Sequence, residues 1–277
     1  MDFAKRWARR DVLRLVAGLV GAATIPHAIA KDTSLTLLVQ PTAGDVANPA
    51  AYQTLATYLT QVVGVRVIVN SAPNFLAHWE TIRRNQGVDL VWDDAHFTDY
   101  RVQRLGFHVL VKAPGVTSYS LVAAPGARVR DPLALAGKKV ASFGPPSMGA
   151  TRLNAMFPNP ARRPSIIDIG SVQQGVDLLN QKKVDAAMLP TPAVSELIDR
   201  GQLLVLTTME PAPRAALSAA PRVDAGTRER IRSALLDAAQ SDSGRRMLEQ
   251  LRLARFEPAT ASTYANHARL LRDVWGY

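Results

Sequence analysis

The chain has 277 residues, 33 Lys+Arg against 23 Asp+Glu, and no cysteine. Without thiols it can form no disulfide, thiolate metal site or cysteine nucleophile, so the fold must rest on burial. The formal net charge of +10 favours anionic small ligands or surfaces. Basic residues do not form a stripe interleaved with aromatics, and nucleic acid is not expected as a partner.

At the N-terminus, Ala8-Arg9-Arg10-Asp11-Val12-Leu13-Arg14 precedes an apolar stretch, Leu15 to Ile25, diluted by Gly18 and Gly21. Ala28-Ile29-Ala30 supplies a small-residue cleavage site. The arrangement resembles a twin-arginine export signal. The apolar run falls short of the ~20 residues needed to span a bilayer, so an exported chain cut after Ala30, with no membrane insertion once mature, is expected. Removing residues 1–30 leaves 28 basic and 21 acidic residues, a balance of +7.

The mature chain alternates strands and helices. Leu35–Val39 reads as a strand ending at a Pro41-Thr42-Ala43-Gly44 turn, and residues 49–63 have helical spacing closed by Gly64. Then comes a pattern that occurs twice: strand, amphipathic helix, turn, and Val-Asp leading into an apolar strand. The first copy runs from Val65 through His78-Trp79-Glu80 to Val88-Asp89-Leu90-Val91-Trp92; the second runs from Ser165 through Gly175-Val176-Asp177 to Val184-Asp185-Ala186-Ala187-Met188. Each reads as a complete βαβ unit. Further strands are expected at 108–111, 118–122, 140–143 and 203–207, a short helix before Gly137, and helix from Thr227 onward. Two βαβ units predict two similar α/β lobes, each a mainly parallel sheet flanked by helices with a ligand cleft between them.

Ligands of such sheets sit beyond the carboxyl ends of the strands, which selects the loops at Thr42, Asn74, Trp92-Asp93-Asp94, 144–151, Ser171 and Thr191. The sharpest is Gly144-Pro145-Pro146-Ser147-Met148-Gly149-Ala150-Thr151. Ser147 is an expected N-cap, and N–H groups at Gly149, Ala150 and Thr151 would form an anion site backed by the helix dipole. A capping serine without ligand is the plainer alternative. His78, Asp93, Asp94 and His96 could be assembled into a metal site, but they are not expected to hold one. Ser147 lacks the Gly-x-Ser-x-Gly elbow and a histidine close by in sequence, so no catalytic residue and no cofactor are expected. The arginines at 245, 246, 252 and 255 read as a solvated helix face.

From Leu35 to about Tyr264 the chain resembles the periplasmic phosphate, phosphite and phosphonate-binding proteins of ABC transporters. The carriers are Gly64-Val65-Arg66-Val67, Gly87-Val88-Asp89-Leu90, Tyr119-Ser120-Leu121-Val122, Leu135-Ala136-Gly137-Lys138-Lys139-Val140, Gly175 to Ala187, and Phe256-Glu257-Pro258-Ala259. The resemblance implies a discontinuous first lobe, 31–118 plus 208–277, with a second lobe at 119–207 inserted. It also implies that Ser147, Gly149 and Thr151 hold phosphoryl oxygens and that Tyr119 is the aromatic at the crossover; Met148 and Ala150 depart from the family's small hydroxyl residues. The function it implies is a periplasmic monomer that captures a small anionic or zwitterionic ligand and presents it to an inner-membrane permease. A sensory module read by a membrane receptor is the alternative. Asp93 and Asp94 stand out at an anion site: either they meet a proton or an ammonium group on the ligand, or one of them merely caps the next helix.

Overall fold

In a computed structural model of the chain, the described residues are 34–41 and 49–277. The expected export signal, with Arg9, Arg10 and the cut after Ala30, lies outside them, as does Thr42. The described chain begins with β1 (Leu35–Val39), α1 (Pro49–Val63), β2 (Val67–Ser71), α2 (Phe75–Arg84), β3 (Leu90–Asp93), α3 (Ala95–Leu105) and β4 (His108–Lys112). A short strand β5 (Val116–Thr117) leads into β6 (Tyr119–Ala123), β7 (Lys139–Ser142), α4 (Met148–Ala155), β8 (Ser165–Asp168), α5 (Val172–Asn180), β9 (Ala186–Pro190), α6 (Thr191–Asp199) and β10 (Leu204–Thr208). The chain returns through β11 (Ala212–Pro213) and β12 (Ala216–Ala219) to α7 (Ala225–Leu236), α8 (Asp242–Gln250) and β13 (Glu257–Pro258). Two short 3-10 turns, Ala261–Tyr264 and His267–Leu271, follow.

The strands form two sheets, ordered β13-β4-β12-β3-β1-β2 and β10-β6-β9-β7-β8. The expected α/β class with one sheet per lobe stands, but the expectation that each sheet is mainly parallel is corrected. Among the described residues, pairing is parallel only for β1 with β2 and β3, and for β7 with β8 and β9. The other half of each sheet is antiparallel, because the strands that carry the chain between sheets and back must insert against their neighbours: β12 between β3 and β4, and β6 between β9 and β10.

The repeated Val-Asp has one structural meaning in both sheets. The Asp89 carboxylate accepts the Thr36 N–H at the start of β1, at 2.8 Å, and the Asp185 carboxylate accepts the Lys139 N–H at the start of β7, at 3.1 Å. In each case the Asp N–H returns a bond to the carbonyl of the same residue, so the turn is latched to the neighbouring strand before the apolar strand begins. Arg222 and Lys138 lie against these carboxylates. The core behind the first sheet gathers Leu37, Leu55, Leu59, Leu90, Ile231 and Leu235, all essentially without solvent exposure.

Between the sheets the chain crosses at β5 and β11, which pair as a two-stranded ribbon. Beside it runs a chain of hydroxyls: Ser118 Oγ donates to Thr191 Oγ1 at 2.9 Å, Thr191 meets Ser120 Oγ at 2.9 Å, and Ser120 meets Thr208 Oγ1 at 3.0 Å. The C-terminal segment then lies across α3 and α4. The Ala268 N–H donates to Asp99 on α3, and the Trp79 indole donates to the Trp275 carbonyl. From beside the second sheet, Arg163 pairs with Asp273.

Candidate functional site

A cavity of about 540 Å³ opens where the carboxyl ends of β1 and β2 face those of β7 and β8. The first sheet supplies Gln40, Tyr52, Asn74 and Phe75; the second supplies Phe143, Gly144, Asp168 and Gln174. Helices α2 and α5 both begin at this cavity. Asn74 caps α2 by accepting the Ala77 N–H, and Ser171 caps α5 by accepting the Gln174 N–H. Two helix N-termini at one cleft favour an anion there without any lysine or arginine in its lining among the described residues.

Gly144 sits where it does because Asp168 leaves no room for a side chain. A Cβ there would lie 2.5 Å from Asp168 Oδ2. The Gly144 N–H instead donates to Asp168 Oδ1 at 2.7 Å.

The loop after Gly144 is built differently from the expectation. Ser147 is the N-cap of α4, but it is 1 % exposed and its hydroxyl donates to the Phe143 carbonyl at 2.6 Å. The Thr151 hydroxyl turns back to the carbonyls of Ser147 and Met148, both at 3.0 Å. The Ala150 N–H goes to Ser147 Oγ and the Thr151 N–H to the Ser147 carbonyl, which leaves the N–H groups of Met148 and Gly149 without a partner among the described residues. A Cβ on Gly149 would lie 3.2 Å from Ser142 and from the Tyr119 ring, so this glycine lets α4 sit close against the crossover strand. Ser147→Ala should therefore cost about 1 kcal/mol in urea denaturation, while oxyanion affinity measured by calorimetry stays within about twofold; a tenfold loss of affinity would return the Ser147 hydroxyl to the binding site.

Of the residues singled out from sequence, Asn74 lines the cavity and Ser171 adjoins it. Tyr119, Ser147, Gly149, Ala150 and Thr151 cluster at the buried start of α4. Thr191 belongs to the hydroxyl chain at the crossover. Trp92 packs edge-on against Phe256, 6.0 Å between ring centroids, in the first core.

Asp93 and Asp94 point to different chemistry. Asp93 is fully buried, receives His78 Nε2 at 2.8 Å and is ion-paired with Arg101, so it ties α2, β3 and α3 together. Burial opposes its charge, yet Arg101 and then His78 hold its carboxyl down at about 2. Among the described residues no group of three or more His, Asp or Glu is placed to hold a metal ion. Asp94 precedes α3 without capping it through its side chain. Burial, followed by repulsion from Asp93, raises its carboxyl to about 6, against the help of Gln40. Its charge adds to burial in keeping the phenols of Tyr52, Tyr119 and Tyr264 protonated.

His96, the first turn of α3, bridges to the α4 loop: its Nε2 donates to the Pro146 carbonyl at 2.9 Å. Burial depresses the imidazole to about 3, so the ring is neutral, with Nε2 protonated and Nδ1 buried without a partner. Sequence reasoning passed over Gln40, Tyr52, Asp168 and Gln174 as site residues. For Gln40 and Asp168 the signal available was their position at strand ends already selected; Tyr52 and Gln174 lie inside α1 and α5, where nothing in the sequence marks them.

The two sheets, the paired crossovers and the cleft at the strand ends define a two-lobed α/β binding protein. A Xanthomonas citri protein bound to ATP superposes with a TM-score of 0.69 at 16% identity, covering 86% of this chain and 95% of that one. PhnD1 from Prochlorococcus marinus, in complex with methylphosphonate, superposes with a TM-score of 0.68 at 15% identity, covering 87% and 98%. The binding-protein component of a Pseudomonas aeruginosa phosphonate transporter gives 0.66 at 14% identity, covering 86% and 85%. Among curated proteins none matches this sequence. Residues 37–264 match the family model described as ABC transporter, phosphonate, periplasmic substrate-binding protein, and the chain belongs to that family. The family is one of ligand carriers for a membrane permease, and among the described residues no helix is long and apolar enough to cross a membrane.

Proposed function

We propose that this chain captures a small phosphate- or phosphonate-like oxyanion between its two lobes in the periplasm and presents it to an inner-membrane ABC permease. The observation that carries this reading is the cavity: strand ends and helix N-termini from both sheets converge on it, and the positive ends of α2 and α5 supply the attraction. In this reading the lobes are 31–118 plus 208–277 and 119–207, the leader through Ala30 directs export by the twin-arginine route, and Asn74 and Ser171 belong to the ligand site. The start of α4, with Tyr119 and Gly149, forms its buried flank. The protein acts as a monomeric carrier, with the β5–β11 ribbon as the hinge.

The test is a thermal-shift screen of the mature protein against phosphate, phosphite, methylphosphonate, aminoethylphosphonate, sulfate and small carboxylates. A ligand present at a hundred times its dissociation constant adds about 2.7 kcal/mol of stability, a shift of several degrees. Small-angle scattering with the best ligand should show the radius of gyration falling as the lobes close. Carboxylates binding while every phosphorus oxyanion leaves the melting curve unmoved would sink the reading.

A further inference from the structure

The cavity holds amide side chains whose orientation is set by the main chain. Asn74 Oδ1 accepts the Ala77 N–H at 2.9 Å and Gln174 Oε1 accepts the Gly170 N–H at 2.8 Å. A backbone N–H can only donate, so in both residues the oxygen is fixed inward and the NH2 group is the free end. Neither NH2 has a partner among the described residues, and both residues are exposed on the cavity wall. Gln40 is held in the same sense, its Oε1 taking the Asp94 N–H at 2.8 Å. The cavity is thus furnished with neutral donors on opposite walls, Asn74 from the first lobe and Gln174 from the second.

Against these donors stands one charged acceptor. Among the described residues, Asp168 is the only Asp or Glu in the cavity lining. Its Oδ1 is occupied by the Gly144 N–H, and no lysine or arginine among the described residues pairs with it. Oδ2 lies 2.5 Å from where a Gly144 Cβ would stand, and among the described residues it has no hydrogen-bond partner.

We propose that Asn74 and Gln174 close on the ligand's oxygens as an amide clamp, and that Asp168 Oδ2 accepts a proton-bearing oxygen of the same ligand. The site then selects a tetrahedral oxyanion that retains an acidic O–H, such as hydrogen phosphate or a phosphonate monoanion, over one that is fully ionised. The ligand's O–H hydrogen is shared with Oδ2 and no bond is broken. A fully ionised oxyanion would place two bare negative oxygens face to face across Oδ2, which a partly desolvated cleft penalises. Because the donors come from different lobes, the same contacts that read the ligand also draw the lobes together. This rests on the oxyanion reading above and names its selectivity.

The experiment is isothermal titration of the mature protein and three variants with inorganic phosphate, methylphosphonate and sulfate. Asn74→Asp and Gln174→Glu keep the pinned oxygen, and so the cap and the Gly170 contact, while replacing the free NH2 by a carboxylate oxygen. Each should weaken phosphate binding at least tenfold with an unchanged melting temperature of the free protein. Asp168→Asn keeps the Gly144 bond and turns Oδ2 into a donor; sulfate, bound at least tenfold more weakly than phosphate by the natural protein, should approach phosphate in affinity. Phosphate binding that survives both amide variants would overturn the clamp, and equal affinity of the natural protein for sulfate and phosphate would overturn the role of Asp168. In either case the oxyanion reading stands. If none of the three anions binds the natural protein, that reading fails with it.

Discussion

Replacing Arg101 by methionine should remove about 3–5 kcal/mol from the unfolding free energy, read from the urea midpoint, because it strands the Asp93 carboxylate in the interior. Both side chains have no solvent exposure, and the guanidinium also lies 5.1 Å from the Phe107 ring centre. Two of the arginine nitrogens have no partner, so the pair is stabilising only relative to half of itself. The Arg101→Met, Asp93→Leu double variant should accordingly recover much of the loss. The acid limb has a definite sign. The Asp93 carboxyl is held at about 2 against an ordinary 3.8, so its contribution is complete above 3.8 and disappears as the pH falls toward 2. A single arginine variant as stable as the natural protein would show that the ion pair is dispensable.

The second large effect is a cancellation. Buried His96 titrates near 3 in the fold and near 6.5 when unfolded; its stabilisation is present above 6.5 and is lost as the pH falls through that window. Between pH 7 and 5 this removes about 2 kcal/mol, at 1.36 kcal/mol per unit. Asp94 runs the other way. With a carboxyl raised from 3.8 to about 6, it favours folding below 3.8 and opposes it as the pH rises through 6. Over the same interval it returns about 1 kcal/mol, allowing for its partial exposure. Natural protein should therefore lose only about 1 kcal/mol on going from pH 7 to 5, whereas Asp94→Asn should be more stable at pH 7 and lose about 2 kcal/mol. His96→Gln, which can still donate to Pro146, should not weaken on acidification. Superimposable stability–pH curves for Asp94→Asn and the natural protein would refute the assignment.

Much of the framework was legible because it is carried by periodicity and by local chemistry. The helices at 49–63 and 172–180 and the strands beside them follow from apolar spacing, and the repeated Val-Asp pointed to two equivalent units. What escaped was β12. Its Ala-Leu-Ser-Ala is wholly buried between β3 and β4, yet alanine has little strand preference, so its place is decided by the pairing partners. That missing strand is also why the first sheet reads as mainly parallel; in the second, β6 and β10 are legible as strands but their direction is not. At the site, the loops were identified by their position after strands, but the direction of each hydroxyl was not. Ser147 and Thr151 look like ligand donors in a sequence because nothing there reveals that Phe143, Ser147 and Met148 carbonyls already take their protons. The pinning of Asn74 and Gln174 was equally hidden, since the partner N–H is defined only once each helix has begun.

The C-terminal segment gives the molecule a third leg. Besides the two crossovers that join the lobes covalently, it leaves the first sheet at β13, is bolted to α3 through Asp99 and to α2 through Trp79, and reaches over to α4 and Arg163. A body on two adjacent legs can swing freely about the line through them; a third, off that line, restricts the swing until one footing lets go. Of these footings, the Arg163–Asp273 pair is the one that faces water, with Asp273 70% exposed, and surface pairs of this kind contribute about 0–1 kcal/mol. The tail therefore acts as a stay: buried Ala268 and Leu271 and its contact with α4 hold it against rocking, and the exposed ion pair is the one fastening that salt softens.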